Sequence, residues 1–527
     1  MSDSVVGAVT KKTLSVRRLP LVTDKLSFFR WGEVAGRMIV TNDAGQWHFL
    51  SKSDFEALLA GQITEAHPEH AALRAKGFLR EGLDIDDLAA RVRRKKAFLS
   101  HGPHLHIVIT TLRCNQSCKY CHASRTDMDR VDTDMSLATA KQVVDHAMQS
   151  TSPTINFEFQ GGEPTANFDA IKFVVEYSRE KNKYEKKDLV HSLVTNMTFM
   201  TEEKAEWLIA NDVLVCTSLD GPQHVHDWNR AWKQSPDTLP PGKKGPPGKD
   251  LAKAGAYETV REWIAYFNRR YVELGRDPQL WHVDALMTTT RKTLEHFKEV
   301  VDLYVELGMH TIHLRPLNPY GFALATWKAI GYTTTEYLDF YAQALDYLIE
   351  LNRKGVTIVE GTSATFLAKM LTGDDPNFVD IRSPCGAGTG QVAYNYDGKL
   401  FPCDEARMTS AMGNDLFQIG EVGSTAYPEM IQHPTVRAMA VASLQDSLPG
   451  CDTCWNKPFC GVCPMHNYMK SGDIFGQRPN SPKCKEHYTI ASLLLERLAN
   501  DPSGEIEAMF RRWILTRPRE QGQSCAV

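Results

Sequence analysis

Thr111-Leu112-Arg113-Cys114-Asn115-Gln116-Ser117-Cys118-Lys119-Tyr120-Cys121 sets three thiols in a Cys-x3-Cys-x2-Cys run, short enough for one loop to offer all three to a single metal centre. A [4Fe–4S] cluster normally takes four cysteines, so three leave one iron open to another ligand. Zinc is the nearest rival, with His122 as a fourth ligand, but structural zinc usually draws its ligands as spaced pairs. The plain alternative, three buried unligated cysteines, sits poorly with the interleaved Asn115, Gln116 and Lys119. The loop directly follows the apolar run Ile107-Val108-Ile109, which places it at the carboxyl end of a strand.

Downstream, apolar runs at 107–109, 155–159, 189–194, 213–216, 283–287 and 311–314 alternate with amphipathic stretches at 136–149, 168–182, 202–210, 252–273 and 291–307. Strands alternating with helices imply parallel pairing and right-handed crossovers. The expected fold is α/β, an open (β/α)6 partial barrel over residues 101–330 whose chemistry gathers at the carboxyl ends of the strands. Several polar motifs fall at those ends: Gln160-Gly161-Gly162-Glu163-Pro164, Thr195-Asn196-Met197, Ser218-Leu219-Asp220-Gly221-Pro222, His226-Asp227-x-x-Arg230 and Arg315-Pro316-Leu317. Asn196 and Asp220 also suit turns on their own, and either arginine also suits an acidic neighbour.

The cysteine run, with Tyr120 before its third cysteine, and the Gly-Gly-Glu-Pro element after the second strand resemble the radical SAM family. That resemblance implies that Cys114, Cys118 and Cys121 hold a [4Fe–4S] cluster whose open iron takes S-adenosyl-L-methionine. It also implies cofactor contacts from Tyr120, Gly161, Gly162, Glu163, Thr195, Asn196, Ser218, Asp220, Arg230 and Arg315. The two glycines are expected to let backbone approach the methionyl amine, and an arginine fork suits the methionine carboxylate.

Seven further cysteines lie between Cys385 and Cys484, including Cys451-x2-Cys454-x5-Cys460-x2-Cys463. Asn395-Tyr396-Asp397-Gly398 centres a hairpin, with Asp-Gly in the turn, that would bring Cys385 and Cys403 together. The pattern resembles the SPASM domain of radical SAM peptide maturases. It implies two auxiliary [4Fe–4S] clusters, three in all: one on Cys385, Cys403 and Cys463, the other on Cys451, Cys454, Cys460 and Cys484. The x2 spacing of the last pair departs from the usual x3, and no cysteine lies a few residues before Cys385, so the first auxiliary cluster either keeps an open iron or borrows Asp380. Zinc ribbons share the paired Cys-x2-Cys spacing. Asp404 matches the proton-accepting carboxylate of a sulfatase-maturing relative, with capping of local backbone as the alternative. Cys216 reads as a core residue and Cys525 as incidental.

Residues 1–100 read as a separate α+β module. A hairpin turns at Asn42-Asp43-Ala44-Gly45, Ser53-Asp54-Phe55-Glu56 suggests a capping box, and helices follow at 68–77 and 83–98. The order resembles small winged-helix elements that hold a leader peptide as an added strand, here beside 38–41 or 46–50. The basic run Arg91-x-Arg93-Arg94-Lys95-Lys96 suits a solvated helix face or an acidic peptide. Between 331 and 380 a helical bridge leads to the cysteine-rich domain at 381–490, with a helix and tail at 491–527. The tract 235–250, rich in Pro and Gly, reads as a surface loop.

The chain has 527 residues, 42% hydrophobic and 24% charged, with a formal net charge of -4. Such a balance gives no reason to invoke nucleic acid, and no run approaches the roughly 18 apolar residues of a membrane span. A cytoplasmic location is expected, where twelve cysteines point to metal rather than disulfides. The combination looks most like the His-Xaa-Ser system radical SAM maturases, on Arg382-Ser383-Pro384-Cys385-Gly386-Ala387-Gly388, Pro402-Cys403-Asp404-Glu405 and Cys460-Gly461-Val462-Cys463-Pro464. It implies oxidative modification of a precursor peptide, with cross-linking ranked above epimerisation, and an external donor of the flavodoxin or ferredoxin type. A maturase of a folded protein such as a sulfatase, and an iron–sulfur electron-transfer protein, are the other classes.

Overall fold

The computed structural model describes residues 24–232, 246–247, 255–278, 280–376, 381–476 and 480–516. Most of the 235–250 tract, Asp380 and Cys525 lie outside them.

Three antiparallel strands open the chain in the order β1 (Arg30–Val34), β2 (Arg37–Thr41), β3 (Trp47–Leu50). The expected turn forms, with Gly45 at φ +80° and its N–H on the Asn42 carbonyl at 3.0 Å. Sequence reading missed β1, and β1 makes β2 central: both edges of 38–41 are taken. An added strand therefore has only β3 or β1 to join. The cap of α1 (Lys52–Leu59) is Ser51 rather than Ser53, its hydroxyl accepting the Asp54 N–H at 3.0 Å. Two more helices, α2 (His70–Ala75) and α3 (Ile85–Lys95), complete the module. It docks on the cysteine-rich region and the bridge: the Thr41 hydroxyl donates to the Trp455 carbonyl at 2.8 Å, and the Trp47 indole N–H to the Met370 carbonyl at 3.0 Å.

The barrel begins with β4 (Leu105–Thr111), buried along its whole length, and the cysteine loop follows with its short β5 (Gln116–Cys118). Then come α4 (Leu137–Ala147), β6 (Thr154–Gly161), α5 (Phe168–Glu185), β7 (Asp188–Thr195), α6 (Glu202–Ala210), β8 (Val213–Ser218), α7 (Gln223–Asn229), β9 (Arg230–Trp232), α8 (Ala256–Glu273), β10 (Asp284–Leu286) and α9 (Phe297–Glu306). Strands β4, β6, β7, β8 and β10 lie side by side and parallel. Helix α9 starts later than its periodicity suggests. Residues before it turn on local hydroxyl bonds, such as the Thr290 N–H to the Thr293 hydroxyl at 3.1 Å, which compete with helix.

The sixth expected strand, β11 (Thr311–Ile312), leaves the main sheet. It pairs with β12 (Val359–Glu360) and reaches β10 through the Thr311 hydroxyl on the Asp284 carboxylate at 2.9 Å. Helices α10 (Phe322–Ile330), α11 (Thr334–Arg353) and α12 (Gly361–Leu371) form the bridge.

The cysteine-rich region joins the barrel sheet directly. Strand β13 (Gln391–Tyr394) runs parallel to β4, from Gln391 opposite Leu105 to Tyr394 opposite Val108, and β14 (Lys399–Phe401) completes the expected hairpin with Gly398 at φ +91°. After α13 (Asp404–Ala411), β15 (Gly420–Glu421) ends an eight-stranded sheet ordered β10-β8-β7-β6-β4-β13-β14-β15. Helices α14 (Tyr427–Ile431), α15 (Pro434–Ser443), α16 (Pro464–Ser471), α17 (Pro482–Ala499) and α18 (Glu505–Thr516) follow, and the boundary expected at 490 falls inside α17. The fold is the expected α/β partial barrel with N-terminal and cysteine-rich C-terminal additions. No helix of the described residues is long and apolar enough to cross a membrane.

Candidate cluster and cofactor site

The carboxyl ends of the barrel strands open into a cavity of about 220 Å³, lined in part by Cys114, Cys118 and Cys121. Donors reach two of these sulfurs: Asn196 Nδ2 lies 3.6 Å and the Gln116 N–H 3.5 Å from Cys114 Sγ, and Arg230 Nη1 lies 3.9 Å from Cys118 Sγ. Burial and the neighbouring thiols push the Cys114 pKa well up, and burial pushes Cys118 to about 12 despite Arg230. Left bare, Cys114 and Cys118 would stay protonated; a bound metal reverses that.

The set suits a cluster better than a single zinc. Among the described residues, the ligand atoms that converge three at a time within 4.8 Å belong to His224, His296 and Glu299, not to cysteines. Tetrahedral zinc, with Zn–S of about 2.3 Å, would draw sulfurs to about 3.8 Å from one another.

Gly161 and Gly162 line the cavity, and packing adds a second reason for them. Gly161 has φ +137° and a Cβ there would lie 2.1 Å from the Thr111 carbonyl oxygen; one on Gly162 would lie 2.4 Å from the Leu112 and Arg113 oxygens. The glycines let β6 press against the cysteine loop, which they also bond: Gly162 N–H to Thr111 O at 2.8 Å and Glu163 N–H to Arg113 O at 2.7 Å. Glu163 itself is 0% exposed. Its carboxylate accepts the Thr195 hydroxyl at 2.6 Å and the Asn196 N–H at 2.8 Å, besides Thr165. It thus fixes the end of β7, where Thr195 and Asn196 face the cavity.

Asp220 plays the corresponding part for β8. Fully buried, it accepts from the Tyr120 hydroxyl, Asn229 Nδ2 at 3.1 Å, Arg230 Nε at 3.1 Å and the Thr288 N–H at 3.2 Å. Arg230, in β9, sits opposite Cys118 in β5 and 5.2 Å from the Tyr120 ring centre. Arg230, one of the two arginines weighed from sequence, is paired with an acidic neighbour, Asp220. Behind it His226 is held neutral, its pKa lowered to about 3 chiefly by burial. Ser218 and Arg315 line the cavity as well.

Asp404 lines the same cavity, at the start of α13, with Glu405 and Met408. Arg407 Nε donates to the Asp404 carboxylate at 2.6 Å, both residues being buried. Gln391, Arg125 and Thr288 also line it and were missed from sequence. Each lies just past a motif or at the head of a strand, a position that sequence spacing alone does not single out.

The other cysteines fall into the two expected groups. Burial raises the Cys403 thiol, with Cys385 and Cys463 among the neighbours adding to it; burial likewise raises Cys460, with Cys451, Cys454 and Cys484. All ten cysteines of the three groups are free thiols. Cys216 is buried on β8.

Comparison with known proteins agrees with this geometry. Residues 108–239 match the Radical SAM superfamily. A cysteine-type anaerobic sulfatase-maturating enzyme of Clostridium perfringens is 26% identical over 308 residues, 55% of this chain and 71% of that one. The solved structure of anSMEcpe with bound AdoMet superposes with a TM-score of 0.59 at 20% identity, covering 79% of this chain and 99% of that one. Streptococcus suis SuiB bound to S-adenosylmethionine superposes at 0.50 and 14% identity, covering 87% and 100%. Residues 108–239, which hold the three-cysteine loop, match the Radical SAM superfamily, and the chain is an enzyme built on that domain.

Proposed function

We propose that this enzyme removes hydrogen from a side chain of a peptide or protein and completes a net oxidation of it. The observation that carries this reading is one cavity lined both by the Cys114–Cys121 loop and by Asp404 and Glu405. Cys114, Cys118 and Cys121 would hold a [4Fe–4S] cluster, and the cavity wall from Tyr120 to Arg315 would hold S-adenosylmethionine. Bound there, the reduced cluster and its cofactor supply a 5′-deoxyadenosyl radical. The chain's own residues do the rest. Asn196 and Arg230 direct N–H groups at the sulfurs, Asp220 keeps Arg230 in place, and Asp404, hydrogen-bonded by Arg407, accepts the proton released on oxidation. The remaining cysteine groups would hold two auxiliary clusters that take the electron and pass it to a flavodoxin- or ferredoxin-type partner.

Sulfatase-maturating relatives and the higher TM-score of anSMEcpe favour a protein-maturing role of that kind. Cross-linking of a ribosomal peptide is the second reading, supported by the likeness to SuiB and by the N-terminal sheet, whose edge strands β1 and β3 pair on one side only among the described residues. The His-Xaa-Ser branch is a finer proposal within it. Anaerobically reconstituted enzyme, a chemical reductant and S-adenosylmethionine, incubated with a candidate sulfatase peptide or with a precursor peptide encoded beside the gene, test the reading by mass spectrometry. The expected result is 5′-deoxyadenosine together with a peptide that has lost hydrogen. Failure to form 5′-deoxyadenosine at full iron loading overturns it.

A further inference from the structure

The basic run at the end of α3 does not all face solvent. Lys95 is 4% exposed and interacts electrostatically with Lys369 on α12, 1% exposed, which in turn interacts with Arg382, 3% exposed, three residues before Cys385. Among the described residues one buried carboxylate, Asp375, serves them, 3.4 Å from Lys369 and 3.9 Å from Arg382. Asp374 faces the same seam but is paired at 2.8 Å with the exposed Arg94. Lys96 beside them donates to the Ser383 carbonyl. Lys95 Nζ and two nitrogens of Arg382, Nε and Nη1, have no hydrogen-bond partner among the described residues. Burial and Lys369 pull the Lys95 pKa down to about 7.

Three buried cations against one carboxylate are costly unless another anion lies close by. The seam runs between the two C-terminal cysteine groups. Lys95 Nζ lies 5.6 Å from the ring centre of Phe459, the residue before Cys460. Lys369 acts electrostatically on Cys460, and Arg382 on Cys385. Each reduction adds one negative charge to a thiolate-bound cluster, and nearby positive charge in a low dielectric favours the reduced form.

We propose that Lys95, Lys369 and Arg382 are an internal counter-charge that raises the reduction potentials of the two auxiliary clusters, an inference that rests on the presence of those clusters. Through Lys95 the N-terminal module is then part of the electron acceptor, whatever else it binds. The electron leaves the substrate radical, reduces an auxiliary cluster by one charge and moves on to the external carrier, while the proton goes to Asp404.

The test is an EPR-monitored redox titration of the full-length reconstituted enzyme, its iron content measured first. In Lys95→Met and Lys369→Met the auxiliary signals should move to lower potential, with at least a tenfold fall in the reduction equilibrium constant, about 59 mV for a one-electron couple. The Cys114–Cys121 cluster should not move. A milder pair guards against misfolding: a Cβ on Gly45 would lie 3.0 Å from Lys95 Nζ, at φ +80°, a backbone that Asp and Asn tolerate. Gly45→Asp should lower the potentials and Gly45→Asn should not. Unchanged auxiliary potentials in Lys95→Met, or equal potentials in the Gly45 pair, at full iron content overturn the inference. Wild-type protein lacking auxiliary iron would instead overturn the cluster assignment beneath it.

Discussion

Replacing Asp220 with asparagine keeps the volume of the side chain and removes the charge that organises one wall of the site. The carboxylate faces donors only: the Tyr120 hydroxyl, Asn229 at 3.1 Å, two nitrogens of Arg230 at 3.1 and 3.2 Å, and the Thr288 N–H at 3.2 Å. An amide offers one acceptor oxygen and turns an NH2 toward this ring of donors. It also strands the Arg230 guanidinium, which is only 8% exposed. Removing one partner of a buried ion pair costs about 3–5 kcal/mol, which at about 1.4 kcal/mol per factor of ten is roughly two to four decades in a local opening equilibrium. Because Arg230 pairs with Cys118 in register, the loosening should appear in the β5–β9 ladder. Hydrogen–deuterium exchange of peptides covering 114–121 and 223–232 should accelerate by that factor in Asp220→Asn, and S-adenosylmethionine affinity should fall at least tenfold. The surface pair Asp212–Arg276, with Asp212 59% exposed, provides the control, since Asp212→Asn should change neither. Unaltered exchange in both segments would refute the view that Asp220 holds this wall.

Gly161→Ala forces a side chain into φ +137° with its Cβ 2.1 Å from a backbone oxygen of the cysteine loop, so iron analysis should show the loss of one cluster's iron while the auxiliary signals persist. Asp404→Asn should cut modified product by about 10²–10⁴, the usual span of a lost proton acceptor, while 5′-deoxyadenosine still forms; product at the wild-type rate excludes Asp404 as the acceptor. His191 is buried on β7, and burial lowers its pKa from 6.5 to about 3. Its unfolded form therefore gains a proton below about pH 6.5 that the folded form refuses, so stability contributed above that pH is lost as pH falls toward 3. His191→Phe should flatten the stability–pH slope below pH 6.5 by an amount that grows to about 1.4 kcal/mol per unit near pH 5, measured by denaturant unfolding.

Local chemistry was readable in the sequence and long-range pairing was not. Apolar runs followed by amphipathic stretches located β4, β6, β7 and β8, and the turn chemistry of Asp397-Gly398 located the β13–β14 hairpin. The cysteine loop and the Gly161-Gly162 pair were legible because their residue types are unusual at that spacing. Nothing local says that β13 lies against β4, or that β5 pairs with β9, since such registers are chosen by tertiary packing. The two-residue strands β11 and β12 are too short to carry a periodic signal. The cluster of charges at 91–96 reads as solvated, and only the docking of the module shows that Lys95 turns inward while Arg91, Arg93 and Arg94 stay exposed. Glu163 and Asp220 were picked out as cofactor contacts, whereas their oxygens are occupied in bracing the residues that line the cavity.

The parallel pairing of β13 with β4 also sets a timetable for synthesis. β4, whose end carries the cysteine loop, leaves the ribosome well before its neighbour, with Leu105 and Gln391 in register. At about 5–20 residues per second that gap lasts roughly 15–60 s. Throughout it, the nascent barrel presents a bare, apolar strand edge of the kind that recruits other chains. The cell must therefore shield a half-built sheet until the hairpin arrives, and yield of soluble enzyme should depend on translation speed and chaperone supply more steeply than its finished stability suggests.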